Sequence, residues 1–194
     1  FMGLVGSEMC IRDRDTPWTN EEVQSLYNAN INEIRIDEVG SVIDELDKNE
    51  NLSYTIYQSS EDNKVTGYAI PIAGKGLWGT MYGYFAIEPD AETVKGITFY
   101  KHKETPGLGA EVDKDWFKNN FVGKKLTNKN GELVSIEVIK GYVSDTDPDA
   151  PRKVDGISGA TITGTGLTTF LKSDLQKYEP YFAKVRSVNQ IESL

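Results

Sequence analysis

The feature that most constrains the fold is a change of hydrophobic period near residue 52. Before it, apolar side chains recur at helical spacing over 23–34, behind a capping box that begins at Thr19, which predicts a helix. After it, apolar and polar residues alternate over 52–57 and 65–70 around a turn-rich link, which predicts a β-hairpin. A chain that keeps the two periods in separate blocks is expected to be α+β.

The rest of the chain follows the same two periods. The further predicted elements are a short helix at 39–46, strands at 80–87, 93–100 and 133–138 with a possible continuation to Val143, a helix at 113–121, and a last helix at 167–178 that stops at Pro180. We expect a single α+β domain in which hairpin-linked strands form an antiparallel sheet with flanking helices. The expected organisation is an N-terminal helical segment at 15–50 packed with a domain at 51–194 as one unit.

The first 14 residues are set apart from this pattern. The segment FMGLVGSEMCIRDR has neither the length nor the period of an anchor or a signal peptide, and it is interpreted as an assembly scar outside the fold. The chain has no run of about 18 apolar residues of the kind that spans a bilayer.

Composition excludes several classes of function. A formal net charge of −9 argues against a nucleic-acid surface, which needs clustered lysine and arginine. With one cysteine, Cys10, and one histidine, His102, the chain offers no disulfide framework and a poor basis for a zinc site. His102 stands between two lysines and is expected to be a solvated surface residue without a catalytic role. The acidic stretch 145–149 lacks the spacing of a calcium loop and is predicted to be a surface turn.

The stretch 155–166 carries the sharpest chemical signal. Its glycines let the backbone approach a ligand closely, its hydroxyls recur, and it precedes the last predicted helix, so it is suited to cradle a phosphate. A loop that merely caps a helix would have a similar composition. The stretch lacks the Gly-Lys-Ser/Thr ending of a Walker A loop. A hydrolase with Ser158 as nucleophile is disfavoured because His102 is its sole candidate base.

This stretch resembles the flavinylation motif of the FMN-binding domain family, which is carried here by Asp155 and by Ser158, Gly159, Ala160 and Thr161. The stretches 74–79 (GKGLWG) and 104–109 (ETPGLG) are similar to two further signatures of the NqrC family, the C subunits of Na⁺-translocating NADH:quinone oxidoreductases. The resemblance covers about residues 50–178. The family of G subunits from Rnf electron-transport complexes shares the flavinylation motif and is the nearest alternative.

The resemblance implies a set of residues around FMN. Thr161 would be esterified to the FMN phosphate by a flavin transferase that uses FAD. The other expected contacts are Asp155, Ser158, Gly159, Ala160, Thr163, Leu77, Trp78, Glu104, Thr105, Gly107 and Leu108. For Trp78 core packing is the alternative, and for 104–109 a plain β-turn is the alternative. The glycines of 74–79 formally match a dinucleotide fingerprint, but a predicted strand follows them instead of a helix.

The resemblance also implies a function. The chain would be an electron-transfer subunit of a Na⁺-translocating NADH:quinone oxidoreductase, with no catalytic residue and no metal of its own. Its partners would be the other subunits and the flavin transferase. It would be attached to the bacterial inner membrane by an N-terminal helix absent from this chain, with its flavin domain on the periplasmic side. A module that binds a phosphorylated ligand noncovalently, without redox chemistry, is the alternative from another class.

Overall fold

The computed structural model describes residues 19–43 and 53–192. The elements in chain order are helix α1 (Asn20–Asn30), strands β1 (Ile31–Ile36), β2 (Tyr54–Glu61), β3 (Lys64–Lys75), β4 (Thr80–Ile87) and β5 (Val94–Lys101), a 3₁₀ turn (Gly109–Asp113), helix α2 (Asp115–Asn119), strand β6 (Glu137–Val138), a second 3₁₀ turn (Ala150–Arg152), strand β7 (Lys153–Val154) and helix α3 (Thr161–Glu192). The segment 1–14 and Leu46, about which the sequence made predictions, lie outside the described residues.

The main sheet has five antiparallel strands in the order of the chain, from β1 to β5. Each strand pairs with the next one, as shown by Ala69 opposite Ala86 and Phe85 opposite Ile97. Strands β6 and β7 form a separate, parallel two-stranded sheet. The predicted α+β class and its antiparallel sheet of hairpin-linked strands are therefore confirmed.

The hydrophobic core lies between this sheet and α3. Alternate strand residues such as Ile70 and Phe85 are fully buried, as is Leu171 of the helix. Burying side chains of this size stabilises a fold by roughly 1.5–3 kcal/mol each. Amphipathic alternation in the strands thus fixes which face of the sheet receives the helix.

The last helix differs from its prediction at both ends. It begins at Thr161 and continues through Pro180, where the sequence predicted a stop. A proline inside a helix costs about 3 kcal/mol relative to alanine. Aromatic packing beyond the proline offsets this cost, because the ring of Phe182 lies 5.5 Å from that of Tyr68. The prediction was wrong because local propensity gave way to tertiary contacts.

The helix predicted near the N-terminus is also shorter than expected. The capping box at Thr19 and Glu22 is present, but α1 ends at Asn30, and residues 31–36 form β1 where helix was predicted. The β-branched Ile34 pairs across from Ile56, and such residues fit a half-buried strand better than a helix. The apolar spacing at Ile31 and Ile34 therefore matched a helix by coincidence, and these two residues belong to the strand.

Residues 39–43 form a turn and a β-bridge and do not begin the predicted short helix. Gly40 has φ +69°, and Val42 makes an antiparallel bridge with Ile36. The glycine lies against the backbone of Pro180 and Tyr181, where a Cβ would come within 2.5 Å of both residues. The turn is thus tied to α3, and a helix here would lose that contact.

Two other predicted elements are shorter than expected. The strand predicted at 133–138 is reduced to Glu137 and Val138, because Ser135 has φ +71°, which interrupts an extended chain. The helix predicted at 113–121 is present only as α2, preceded by the first 3₁₀ turn. No helix in the described part of the chain is long and apolar enough to cross a membrane. The described residues also contain no cluster of three acidic, cysteine or histidine side chains suited to a metal ion.

Candidate functional site

Thr161 is the first residue of α3, and its side chain is exposed. A turn at Ser158 and Gly159 leads into the helix, and Gly159 has φ +75°, which favours glycine. The first i to i−4 hydrogen bond of the helix joins the N–H of Gly164 to the carbonyl of Ala160 at 3.1 Å. The N–H groups of residues 161–163 precede it and have no partner within the helix. With the helix dipole, these groups favour an anion beside the Thr161 hydroxyl.

Two cavities border Thr161 on different sides of the helix end. The larger has a volume of about 420 Å³ and is lined by Lys75, Gly76, Thr161, Ile162, Thr165, Gly166, Thr169 and Phe170. The smaller has a volume of about 220 Å³ and is lined by Glu137, Val138, Ile139, Lys140, Gly156, Ile157, Ala160, Thr161, Gly164 and Thr165. One lysine lines each cavity, Lys75 the larger and Lys140 the smaller.

Glycines bring α3 unusually close to the end of β3. A Cβ on Gly166 would lie 2.3 Å from the carbonyl oxygen of Lys75, and a Cβ on Gly74 would lie 2.0 Å from the Cβ of Phe170. Atoms that are not bonded never approach this closely, so larger residues would push the two elements apart. The floor of the larger cavity therefore depends on these two glycines.

Asp174 fixes the helix to the same strand. Its side chain is buried, and it accepts a hydrogen bond from the N–H of Ala73 at 2.8 Å and one from Lys177 at 2.6 Å. The carboxylate therefore pairs a backbone donor of β3. A buried carboxylate with two partners holds the helix in one register along the strand.

Glu104 joins the three motif stretches. One carboxylate oxygen accepts the N–H of Trp78 at 3.0 Å, and the other accepts the hydroxyl of Thr163 at 2.5 Å. The side chain is buried, and a Cβ on Gly76 or Gly109 would lie 2.5 or 2.4 Å from its oxygens. Glu104 and Thr163 were both expected to contact FMN, and here they bind each other.

Asp155 organises the turn before the motif. Its Oδ1 accepts the N–H of Val143 at 2.7 Å, and the next N–H, from Gly156, donates to the carbonyl of Gly141 at 2.8 Å. A Cβ on Gly156 would lie 2.1 Å from the carbonyl oxygen of Ile139. The aspartate and glycine of the motif thus anchor the turn that precedes Ser158.

The stretch 104–109 folds as a β-turn in which the carbonyl of Thr105 accepts the N–H of Leu108 at 3.1 Å. Pro106 occupies the first central position and Gly107, with φ +73°, the second, as a type II turn requires. Leu108 follows it, and a Cβ on Gly159 would lie 2.8 Å from its side chain. The backbone of 104–109 is therefore a β-turn, as in the plainer of the two readings, and the turn lies against Gly159 of the stretch 155–166.

Exposed apolar side chains surround this site. Trp78 is 63% exposed and Ile162 is 62% exposed, and Leu77 and Leu108 are also largely exposed. The alternative that Trp78 packs in the core is therefore wrong. Exposed apolar groups around a concave site are typical of surfaces that receive a ligand or a partner.

Comparisons with known proteins assign the chain that carries this site to a family. The family model of the FMN-binding domain matches residues 76–176, a span that contains Thr161 and most of the two other motif stretches. The chain belongs to the FMN-binding domain family. The cofactor predicted from the sequence, FMN, is thereby confirmed at the level of the family.

Named relatives agree with this assignment. Over 134 residues the chain is 40% identical to the C subunit of the Na⁺-translocating NADH-quinone reductase of Pseudomonas aeruginosa, covering 68% of this chain and 51% of that protein. Over 132 residues it is 44% identical to the protein of the same name from Chlamydia muridarum, covering 61% of this chain and 42% of that protein. The chain thus spans about half the length of the curated relatives that it matches.

Solved structures agree on the fold. The crystal structure of Shewanella oneidensis NqrC superposes with a TM-score of 0.75 at 25% identity, covering 88% of this chain and 90% of that one. The crystal structure of the C subunit of the Na⁺-translocating NADH-quinone reductase from Parabacteroides distasonis gives a TM-score of 0.72 at 32% identity, covering 89% and 88%. The predicted resemblance to the NqrC family is therefore confirmed.

The residues present fit the cofactor of an FMN-binding domain. An exposed hydroxyl stands at a helix N-terminus between two cavities, and a lysine borders each cavity, which suits a phosphate ester. The apolar groups at Leu77, Trp78 and Leu108 suit a flat ring. Of the other expected contacts, Ser158, Gly159, Thr105 and Gly107 are exposed, Ala160, Thr163 and Glu104 are buried, and Asp155 is half-buried.

The sequence missed several residues that line the cavities. Thr165 and Thr169 follow Thr161 at intervals of four residues on one face of α3. Their hydroxyls donate to the carbonyls of Thr161 and Thr165 at 3.0 and 2.8 Å. The spacing could have revealed them, but the predicted helix began only at residue 167. The two lysines carry no local signal, because only the fold brings them beside Thr161.

His102 also differs from its prediction. Its side chain is only 12% exposed, and Nε2 lies 2.6 Å from a carboxylate oxygen of Asp113. Its Nδ1 accepts the N–H of Glu104 at 3.1 Å. The prediction of a solvated surface histidine was wrong, because the side chain is largely buried and both ring nitrogens have protein partners. Both ring nitrogens are engaged, so His102 is not the base of a hydrolase centred on Ser158.

Proposed function

We propose that this chain is the flavin-carrying domain of an electron-transfer subunit in a Na⁺-translocating NADH:quinone oxidoreductase. The observation that carries the proposal is the exposed hydroxyl of Thr161 in the first turn of α3, a turn that Glu104 joins to the other two motif stretches through its bonds to Thr163 and Trp78. FMN, when bound, supplies the redox chemistry, and the protein binds, orients and tunes it.

We propose that Thr161 carries the FMN phosphate as an ester. Its Oγ would form a bond to the phosphorus of the FMN half of FAD, while the pyrophosphate bond breaks, AMP leaves and the hydroxyl proton passes to the transferase or to water. This step involves no oxidation or reduction. The N–H groups at the helix end and Lys75 and Lys140 would stabilise the remaining negative charge of the ester.

The side chains around Thr161 would then orient the ring. Leu77, Trp78 and Leu108 offer exposed apolar contacts, each at the surface where a flat ligand can reach it. The turn at Thr105 and Gly107 offers polar backbone groups. Glu104 would act from below the surface: its buried carboxylate disfavours additional negative charge nearby and so would lower the reduction potential.

The wider assignment follows the named relatives. The other subunits of a NADH:quinone reductase would be partners in electron transfer, and a flavin transferase would be needed for maturation. We propose that the domain is held at the bacterial inner membrane on its periplasmic side. We also propose that residues 15–50 and 51–194 pack as one unit, supported by the pairing of β1 with β2 and by Lys184, which donates to the carbonyl of Gly40 at 3.0 Å.

Intact mass tests the attachment. The chain coexpressed with a flavin transferase is expected to gain the mass of one FMN, and Thr161→Ala is expected to lose that gain completely. Ser173→Ala is the matched control, because it removes an exposed hydroxyl of the same helix that lies outside the motif and should keep the adduct. An adduct that persists in Thr161→Ala, or that is also lost in Ser173→Ala, would refute the assignment.

A denaturing gel separates this proposal from a noncovalent one. A covalent flavin remains with the chain and fluoresces under ultraviolet light, whereas a phosphorylated ligand held only by the helix N-terminus is lost. Fluorescence that disappears on denaturation of the coexpressed protein would favour the noncovalent module.

A further inference from the structure

His102 occupies a position that the proposed attachment site does not explain. It follows the end of β5 and is flanked by two exposed lysines, yet its own side chain is 12% exposed. One ring nitrogen lies 2.6 Å from Asp113, in the 3₁₀ turn, and the other accepts the backbone N–H of Glu104 at 3.1 Å. The imidazole therefore joins two segments on either side of the type II turn at 105–108.

The two contacts specify one form of the ring. Since Nδ1 accepts the N–H of Glu104, it carries no proton, and the proton of the neutral ring lies on Nε2. That N–H then donates to the carboxylate of Asp113. A carboxylate behind an imidazole commonly fixes both its tautomer and its orientation. Asp113 thus orients His102, and His102 in turn fixes the backbone of Glu104.

The position of Glu104 has consequences at both other motif stretches. Its carboxylate accepts from Trp78 and Thr163, and the latter is two residues from Thr161 in the first turn of α3. The space around the carboxylate is closed, because a Cβ on Gly76 or Gly109 would lie within 2.5 Å of its oxygens. A rotation of the Glu104 backbone would therefore be transmitted to both contacts.

We propose that His102, protonated at Nε2 and oriented by Asp113, is a positioning residue that fixes Glu104 and, through it, the geometry of the flavin site. It does not touch the cofactor. The part that concerns FMN rests on the proposed function, whereas the part that concerns Glu104 can be tested on the chain without FMN.

The ring form is measured first, on the unaltered chain without FMN. A long-range ¹H–¹⁵N spectrum at about pH 8 is expected to show a protonated Nε2 and an unprotonated Nδ1. The Glu104 amide is expected to exchange with solvent more slowly than the exposed amide of Gly107. An unprotonated Nε2, or equally rapid exchange at the two amides, would overturn the proposal without the need for any variant.

Two substitutions separate the two contacts. The carbonyl oxygen of His102→Asn can replace Nδ1 as acceptor, whereas the amide nitrogen of His102→Gln can replace only Nε2 as donor to Asp113. Exchange of the Glu104 amide is expected to be about five-fold faster in His102→Gln than in His102→Asn, the ratio that one net hydrogen bond supplies. Equal exchange in both variants would contradict the proposal.

Attachment of FMN then tests the consequence for the site. With a flavin transferase and FAD, the rate for His102→Gln is expected to fall about five-fold, while His102→Asn stays within about two-fold of the unaltered chain. If the Glu104 amide exchanges at different rates in the two variants but FMN attaches at the same rate to both, the role of His102 in the flavin site is refuted. If the unaltered chain takes no FMN, the proposed function fails, while the exchange result still decides the role toward Glu104.

Discussion

The two halves of α3 share one helix and differ in almost everything else. The first half carries the exposed Thr161, Thr165 and Thr169 and the small Gly164 and Gly166. The second half carries large aromatic side chains that pack on the sheet, with Tyr178 5.7 Å from Tyr54 and Phe182 5.5 Å from Tyr68 between ring centres. The first half presents the site and is fixed to the sheet through Leu171 and Asp174, whereas the second half packs on the sheet through its aromatic side chains.

This division shows how the proposed attachment residue can be both exposed and rigidly placed. The hydroxyl of Thr161 is not held by burial of its own side chain, because it lies at the surface. Its position is set by the rest of the helix, where each buried aromatic stabilises the fold by roughly 1.5–3 kcal/mol. A site on a rigid element keeps its geometry better than one on a loop. Stability and attachment should therefore respond to different substitutions along one helix.

The largest effect on stability is expected in the second half. Phe182→Ala removes a buried ring from the core and should lower the free energy of unfolding by about 3–5 kcal/mol. Urea denaturation of the chain measures this loss. Val188→Ala, at a half-exposed position on the same helix, should stay within about 0.5 kcal/mol. The folded fraction of Phe182→Ala should still accept FMN at Thr161, and a loss of attachment in folded protein would show that the two halves are not separate.

The second effect appears only at high pH. Burial, and then the neighbouring Tyr181, raise the pKa of Tyr68 to about 12 from its ordinary value of 10.0. A folded pKa above the unfolded one contributes stability that is complete below about pH 10 and is lost as the pH rises through about 12. Tyr68→Phe cannot ionise, so it should retain roughly 2–3 kcal/mol that the unaltered chain loses over this interval.

Denaturation at about pH 9 and about pH 12 measures that difference. Tyr142→Phe is the control, because the side chain of Tyr142 is 86% exposed and lies outside the hydrophobic core. If Tyr68→Phe and the unaltered chain lose stability in parallel between the two pH values, the aromatic packing of the second half does not control ionisation there.

The same contrast explains what could be predicted from the sequence. The alternation over 80–87 and the capping box at Thr19 are local signals, and both features are present as predicted. The three motif stretches were recognised because each is a short run of neighbouring residues. The continuation of α3 past Pro180 was not predictable in this way, because its cause lies in ring contacts with strands more than a hundred residues earlier.

The interior of the site escaped prediction for the same reason. Thr163 was expected to contact the cofactor, and its hydroxyl donates to Glu104, 59 residues away in sequence, a bond that the sequence did not predict. Two flanking lysines suggested an exposed His102, but its ring nitrogens bind Asp113 and the backbone of Glu104. A short motif identifies which residues a site uses. Which of them face the ligand and which support each other depends on long-range contacts.

The smallest effect on stability is expected from alanine substitutions at two glycines in the first half of α3. A Cβ on Gly166 would lie 2.3 Å from the backbone oxygen of Lys75, whereas a Cβ on Gly164 would meet only the side chain of Val138 at 3.0 Å. Alanine in a helix interior is favoured over glycine by up to about 1 kcal/mol. Gly164→Ala should therefore be nearly neutral, while Gly166→Ala should cost about 1–3 kcal/mol as α3 moves away from β3.

Because that movement alters the floor of the larger cavity, Gly166→Ala should also slow FMN attachment at Thr161 more than Gly164→Ala does. Urea denaturation and the rate of mass gain with a flavin transferase measure the two consequences on the same samples. Equal stability and equal attachment in the two variants would mean that the close approach of helix and strand does not shape the site. Attachment would then depend only on the exposed turn that precedes Thr161.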